Sequence, residues 1–204
     1  MTRRVTALLG VVCIGTAASP VAAQTPRPVV FGAIGLANVH RTEDQSFGTK
    51  TNIGGGIGIE WKRIGLDVEA HRTMGLEPRS VQCGVVNVAC VGSAREGFLD
   101  VTILSGNVHY FFGGPRVRPY LTGSVGVLRT ESVNSLTIAS TTPATLSEFR
   151  ERHTGLALGV GFGVDIALTR ALALRPEFRT YSSVAMSRVN LGLHRGTVGV
   201  RYRW

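Results

Sequence analysis

Charged side chains recur at every second position along several stretches of the chain, a spacing that would gather acids and bases on one side of an extended backbone. Successive residues of a strand face opposite ways. Glu60, Lys62, Asp67, Glu69, His71, Asp165, Arg175, Glu177, Arg179, Arg201 and Arg203 therefore fall opposite the large apolar residues of their segments. Carboxylates held close together can serve as general acid and base. Arginines are interleaved with them here, so a network of mutual ion pairs is expected and an enzyme is not. No metal site is expected, because histidines 40, 71, 109, 153 and 194 show no ligand spacing. No cofactor is expected either, since Gly54-Gly55-Gly56-Ile57-Gly58 precedes no helix and its glycines would instead make room inside a strand.

The elements that would position these charges are short and alternating. Eight strands are expected, over residues 29–40, 52–62, 64–72, 98–112, 118–129, 154–167, 171–181 and 190–204. The second carries Ile53, Ile57, Ile59 and Trp61 on one face, and the sixth carries Leu156, Leu158, Val160, Phe162, Val164 and Ile166 opposite glycines and Asp165. In the fourth, Val101 and Ile103 have the opposite parity to Val108, Tyr110 and Phe112; a bulge near Ser105-Gly106 could reconcile the two halves, since one extra residue flips all later side chains. Otherwise, part of that strand lies beyond the membrane. Connections alternate in length, short at 62–64, 113–116 and 168–170 and long at 41–51, 73–97, 130–153 and 182–189. Transmembrane barrels have short periplasmic turns and longer exterior loops. On that topology Trp61, Tyr110, Phe112, Tyr202 and Trp204 gather at the periplasmic rim as an interfacial girdle.

Arg3 and Arg4, an apolar run from Val5 to Ala18 and small residues at 21–23 have the layout of a secretory signal peptide, so residues 1–23 are excluded from the fold and 24–204 form one domain. The residue ahead of Cys13 is not small, so no lipid anchor is expected. No later stretch approaches the roughly 18 apolar residues of a membrane-spanning helix, which leaves strands as the means of crossing. The formal charge of +9 drops to +7 without Arg3 and Arg4. The remaining arginines are scattered, with no basic run, which argues against nucleic acid and for a filled interior and contacts with lipopolysaccharide phosphates. Cys83 and Cys90 lie in the longest loop, where an exported protein is expected to form a disulfide, contributing roughly 2.5 kcal/mol at most to ordering so small a ring.

Gly106-Asn107-Val108-His109-Tyr110-Phe111-Phe112-Gly113-Gly114, followed by Arg118-Pro119-Tyr120-Leu121-Thr122-Gly123-Ser124-Val125-Gly126-Val127, resembles the central hairpin of the OmpA/OmpX-like, or porin-like, outer-membrane β-barrel domains. The resemblance extends over residues 28–204 and implies an all-β, eight-stranded antiparallel up-and-down transmembrane barrel in the outer membrane of a Gram-negative envelope. It also implies that the barrel-assembly machinery reads the closing strand, which would make Tyr202 and Trp204 an insertion signal. It carries no expectation of cell-wall tethering. Small barrels of the lipid A deacylase type use a histidine, a serine two residues later and a glutamate. His71, His109 and His194 are followed at that distance by Thr73, Phe111 and Gly196, so the pattern is unmet. A monomer with a side-chain-filled lumen is expected, acting in envelope structure or through loops that bind an extracellular partner. The alternatives are a narrow channel for small or hydrophobic solutes, OmpW-like, and a soluble lipocalin-like ligand binder, which would need its apolar faces turned inward.

Overall fold

A computed structural model describes residues 25–41, 45–46, 48–77, 94–138, 145–183 and 191–204. Every strand among them is antiparallel to its neighbours. They are β1 (Arg27–Arg41), β2 (Lys50–Trp61), β3 (Ile64–Leu76), β4 (Ala94–Phe111), β5 (Val117–Ile138), β6 (Thr145–Ala167), β7 (Leu172–Ser183) and β8 (Leu191–Arg203). A two-residue strand, Gln45–Ser46, folds back on the end of β1. Each strand pairs with the next in sequence, and β1 also pairs with β8, so the sheet closes into a barrel. Closure leaves no edge with unpaired backbone groups, which hydrocarbon requires.

The register fixes the barrel's geometry. Following partners from Val29 through Gly58, Asp67, Asn107, Ser124, Gly159, Tyr181 and Leu193 returns to β1 at Val39, ten residues beyond the start. Such a stagger tilts the strands by roughly 35–45° and leaves an eight-stranded interior just wide enough for side chains.

Alternation decides what faces that interior. On β2, Ile53, Ile57 and Ile59 are exposed on the outside while Asn52 and Glu60 are buried within. On β6, Leu156, Leu158, Val160 and Phe162 are exposed and Ala157 and Asp165 are buried. These orientations are the reverse of those a lipocalin-like binder needs. The three short connections are at the same end as both strand termini, and backbone bonds tie them to neighbours: Phe111 N donates to Arg63 O at 2.7 Å, and Arg203 N to Ala171 O at 2.8 Å. In the third turn, Thr169 Oγ1 accepts from Leu172 N at 2.9 Å, holding a local turn.

Of the two alternatives for the fourth strand the structure takes the second, and one expected connection is corrected. There is no bulge at Ser105-Gly106: pairing with β5 runs without interruption from Phe98 to Phe111, and the irregularity lies at Arg95/Phe98. Val101, Ile103, Ser105, Asn107, His109 and Phe111 all point inward. The parity is constant, and it is the chemistry of the inward face that changes. The connection expected at 130–153 is also mostly strand, since β5 and β6 pair from Val117↔Ile166 to Ile138↔Thr145. Twenty-two residues rising ~3.3 Å each at a ~40° tilt span roughly 55 Å, about twice a ~25 Å apolar band, so this hairpin projects well past the membrane. Residues 1–23, Cys83 and Cys90 lie outside the described residues.

Candidate functional site

The lumen is stratified along its axis. At the periplasmic end, Glu60 of β2 and Asp165 of β6 face three arginines. Arg118 Nη2 lies 2.6 Å from Glu60 Oε1 and 2.9 Å from Asp165 Oδ2. Arg201 Nη1 lies 2.6 Å from Glu60 Oε1 and 2.9 Å from Asp165 Oδ2, and Arg203 Nη2 is 2.9 Å from Asp165 Oδ2. Phe111 separates this layer from the next, with the Arg118 guanidinium 4.3 Å and that of Arg201 5.5 Å from its ring centre.

Above it, Asp67, Glu69 and Glu177 meet Arg175, Arg179 and Arg195. Arg179 Nη1 donates to Glu69 Oε1 at 2.6 Å and Asn107 Oδ1 at 2.7 Å, while its Nη2 is 2.7 Å from Glu177 Oε1. Arg195 Nη2 spans the same two glutamates at 2.9 and 3.1 Å. Tyr181 and Tyr120 complete the carboxylate shells, their hydroxyls donating to Glu69 at 2.9 Å and Glu177 at 2.7 Å. His109 is wedged below: its Nε2 lies 2.6 Å from Asp67 Oδ2, and Arg175 Nη2 lies 3.1 Å from its Nδ1 and 3.2 Å from its Nε2. His71 Nδ1 bonds Asn52 Oδ1 at 2.9 Å. Room for these bulky groups comes from glycine. A Cβ on Gly163 would strike the Tyr120 hydroxyl, and one on Gly159 would come within 2.5 Å of the Tyr181 ring.

At the extracellular end the lining becomes apolar. Ala37, Val39, Leu76, Leu99, Val101, Ile103, Leu128, Ala157, Leu191 and Leu193 pack with Tyr181 into a buried cluster. Val39, Leu76 and Leu128 are wholly inaccessible. Beneath this plug, a cavity of about 10 Å³ between Phe31, Glu69, His71, Arg175 and Glu177 has room for one water molecule. An open vestibule of about 640 Å³ indents the periplasmic mouth as far as Glu60, Arg118 and Arg203.

Of the residues expected in the lumen, Glu60, Asp67, Glu69, His71, Asp165, Arg175, Glu177, Arg179, Arg201 and Arg203 all contribute to these strata. Lys62 does not and is corrected. It occupies the β2–β3 turn with a left-handed φ of 56°, exposed to solvent, its ammonium 5.3 Å from the Trp61 ring centre. Alternation ends where the chain reverses, so its parity no longer assigns a face. Arg118, Arg195, His109, Asn107 and Tyr120 complete the network and were not anticipated. Arg195 has the parity of Arg201 and Arg203, so carrying the alternation back along β8 finds it. Trp61, Tyr110, Phe112, Tyr202 and Trp204 point outward at the periplasmic end, with Tyr110 against Phe112 at 4.9 Å and Tyr202 stacked on Trp204 at 5.7 Å.

The family model described as the outer membrane protein beta-barrel domain matches residues 5–203. No curated protein sequence matches the chain. Among solved structures, Neisserial surface protein A superposes with a TM-score of 0.62 at 17% identity, over 89% of this chain and 100% of that one. A major outer membrane protein from Thermus thermophilus gives 0.59 at 13%, and Ail, the attachment invasion locus protein of Yersinia pestis, 0.56 at 11%, with the same coverages. At these identities the likeness is one of fold. Closed topology, outward apolar faces and the family match agree: the chain belongs to the outer-membrane protein β-barrel domain family and resides in the outer membrane.

Proposed function

We propose that this protein is a closed, non-catalytic outer-membrane scaffold, monomeric in the bilayer, whose specific work is done on its surface, in envelope structure or through loops that bind an extracellular partner. The observation that carries this is the double obstruction of the lumen, by ion pairs below and by packed aliphatic side chains above. Each carboxylate of the buried network lies against at least one arginine, which engages its charge in ion pairs. The outward aromatic rim, with Tyr202 and Trp204 on the closing strand, would anchor the barrel at the interface and be read by the assembly machinery. Removing Trp204 should then lower the fraction of chain that reaches the heat-modifiable, folded form in cells, and an unchanged fraction would remove that role. Solute flux tests the scaffold. Proteoliposomes should swell in small sugars no faster than empty vesicles, and rapid swelling would contradict closure.

A narrow path for hydrophobic solutes is a second reading, favoured by one observation: the extracellular stratum is lined with leucine, isoleucine and valine. Its side chains are packed together, so such a path would require them to part. Uptake of a hydrophobic solute that depends on the protein and falls on filling the stratum, for instance with Ala157→Leu, would support it over the scaffold.

A further inference from the structure

On the outer surface, one arc of the barrel differs from the rest. Where β3 to β6 leave the apolar belt, the outward positions become polar, and guanidiniums recur among them, at Arg72, Arg129, Arg150 and Arg152. Arg72 pairs across the strands with Thr102, Thr102 with Arg129, and Arg129 with Thr154, making one continuous row over four strands. Arg152 lies beside it, opposite Glu131. Arg72 is eight residues beyond the start of β3 and Arg129 twelve beyond the start of β5, which puts them roughly 20 to 30 Å above the periplasmic turns, at the upper edge of a ~25 Å belt.

These guanidiniums are held but not buried. Arg72 Nη2 is 3.1 Å from Asp100 Oδ2, with Arg72 about half exposed. Arg129 Nη2 and Arg152 Nε converge on one oxygen, Glu131 Oε1, at 2.6 and 3.3 Å, both again at least half exposed. Two cations thus share one carboxylate and keep outward-facing donors. Directly below the row, on the same strands, Val68, Leu104, Val125, Val127, Leu156 and Leu158 stand exposed to hydrocarbon. At a comparable height on β7, β8 and β1 the outward positions are Thr180, His194, Leu36 and Asn38, and among the described residues of that arc no guanidinium stands there.

We infer that this arc is a binding surface for the phosphate groups of outer-leaflet lipopolysaccharide, with Arg72, Arg129 and Arg152 as the phosphate ligands and the aliphatic surface beneath them receiving the acyl chains. Guanidinium is suited to phosphate because its fork of donors can meet two oxygens at once. The joint presence of cations at the interface and acyl-chain surface below selects a lipid over a free anion. Asp100 and Glu131 pre-orient the guanidiniums without neutralising all of them. The inference rests on residence in the outer membrane and not on closure of the lumen, so a conducting barrel would leave it standing.

The folded protein in detergent, titrated with diphosphoryl lipid A and followed by native mass spectrometry, tests it. Wild type is expected to retain bound lipid A, and R129S/R152S to bind at least tenfold more weakly, with R72S weakening it further. Heat-modifiable mobility verifies that each variant is folded, and H194S, on the opposite arc, should bind as wild type does. Enzymatically dephosphorylated lipid A should bind the wild type as weakly as diphosphoryl lipid A binds the arginine variants. Equal affinity of wild type and R129S/R152S would overturn the inference, as would equal binding of the dephosphorylated lipid. Inorganic phosphate that displaces lipid A at millimolar concentrations through the same arginines would make this a free-anion site and also overturn it.

Discussion

The two ends of the lumen are closed by opposite chemistries within one barrel. Toward the periplasm the fill is ionic, six arginines against Glu60, Asp67, Glu69, Asp165 and Glu177, separated by Phe111 and Tyr120. Toward the exterior it is aliphatic, with only Tyr181 reaching from that cluster down to Glu69. The ionic part depends on geometry. Asp165 Oδ1, Thr122 Oγ1 and the Nε atoms of Arg195 and Arg201 have no hydrogen-bond partner among the described residues, so the desolvation of these groups is only partly repaid. The aliphatic part has no such cost and depends only on volume. Charge therefore makes the lower fill specific, while the upper fill contributes stability without orientation.

The contrast can be broken from either side. The largest effect is expected from Arg179→Ala, which leaves Glu69 and Glu177 short of a buried partner and should destabilise the barrel by about 3–5 kcal/mol in reversible urea unfolding from lipid vesicles. A loss below about 1 kcal/mol would mean that the lower lumen is wet. Replacing Arg179 together with both glutamates by apolar residues of similar size should recover most of that loss, because it removes charges instead of stranding them. Leu128→Ala in the aliphatic plug should cost about 2–4 kcal/mol through lost burial and a residual cavity, measured in the same way. Unlike Arg179→Ala, its cost should not change with added salt. Lys62→Ala should change stability by less than about 0.5 kcal/mol, since the side chain is solvent-exposed in a turn, and a loss comparable to Arg179→Ala would return Lys62 to the lumen.

Much of this contrast was legible in the sequence, but unevenly. Strands β2 and β6 were readable because their apolar residues meet lipid and glycine faces them, so the two sides differ in size as well as polarity. The ionic strata were readable for the same reason, charged parity against apolar parity. The aliphatic plug was not. Val101 and Ile103 look like lipid-facing residues, and the inward face of β4 changes from Asn107 and His109 to aliphatic without any slip of register. A side chain's polarity reports its face only while the polar set stays inside, and toward the extracellular end of β4 the pattern inverts: Val101 and Ile103 line the lumen while Asp100 and Thr102 face outward beyond the apolar belt. Arg118 was hidden in a segment that begins at a turn, where alternation is too short to read. The β5–β6 extension was hidden by its serines and threonines, which alternate with nothing.

Single-channel recording in planar bilayers, on wild type, Arg179→Ala and Leu128→Ala in parallel, tests double closure most directly. Wild type and both single variants should give no steady open-channel steps, because each leaves one of the two fills intact. Steady conduction by either single variant, or by wild type, would show that the lumen is not closed twice.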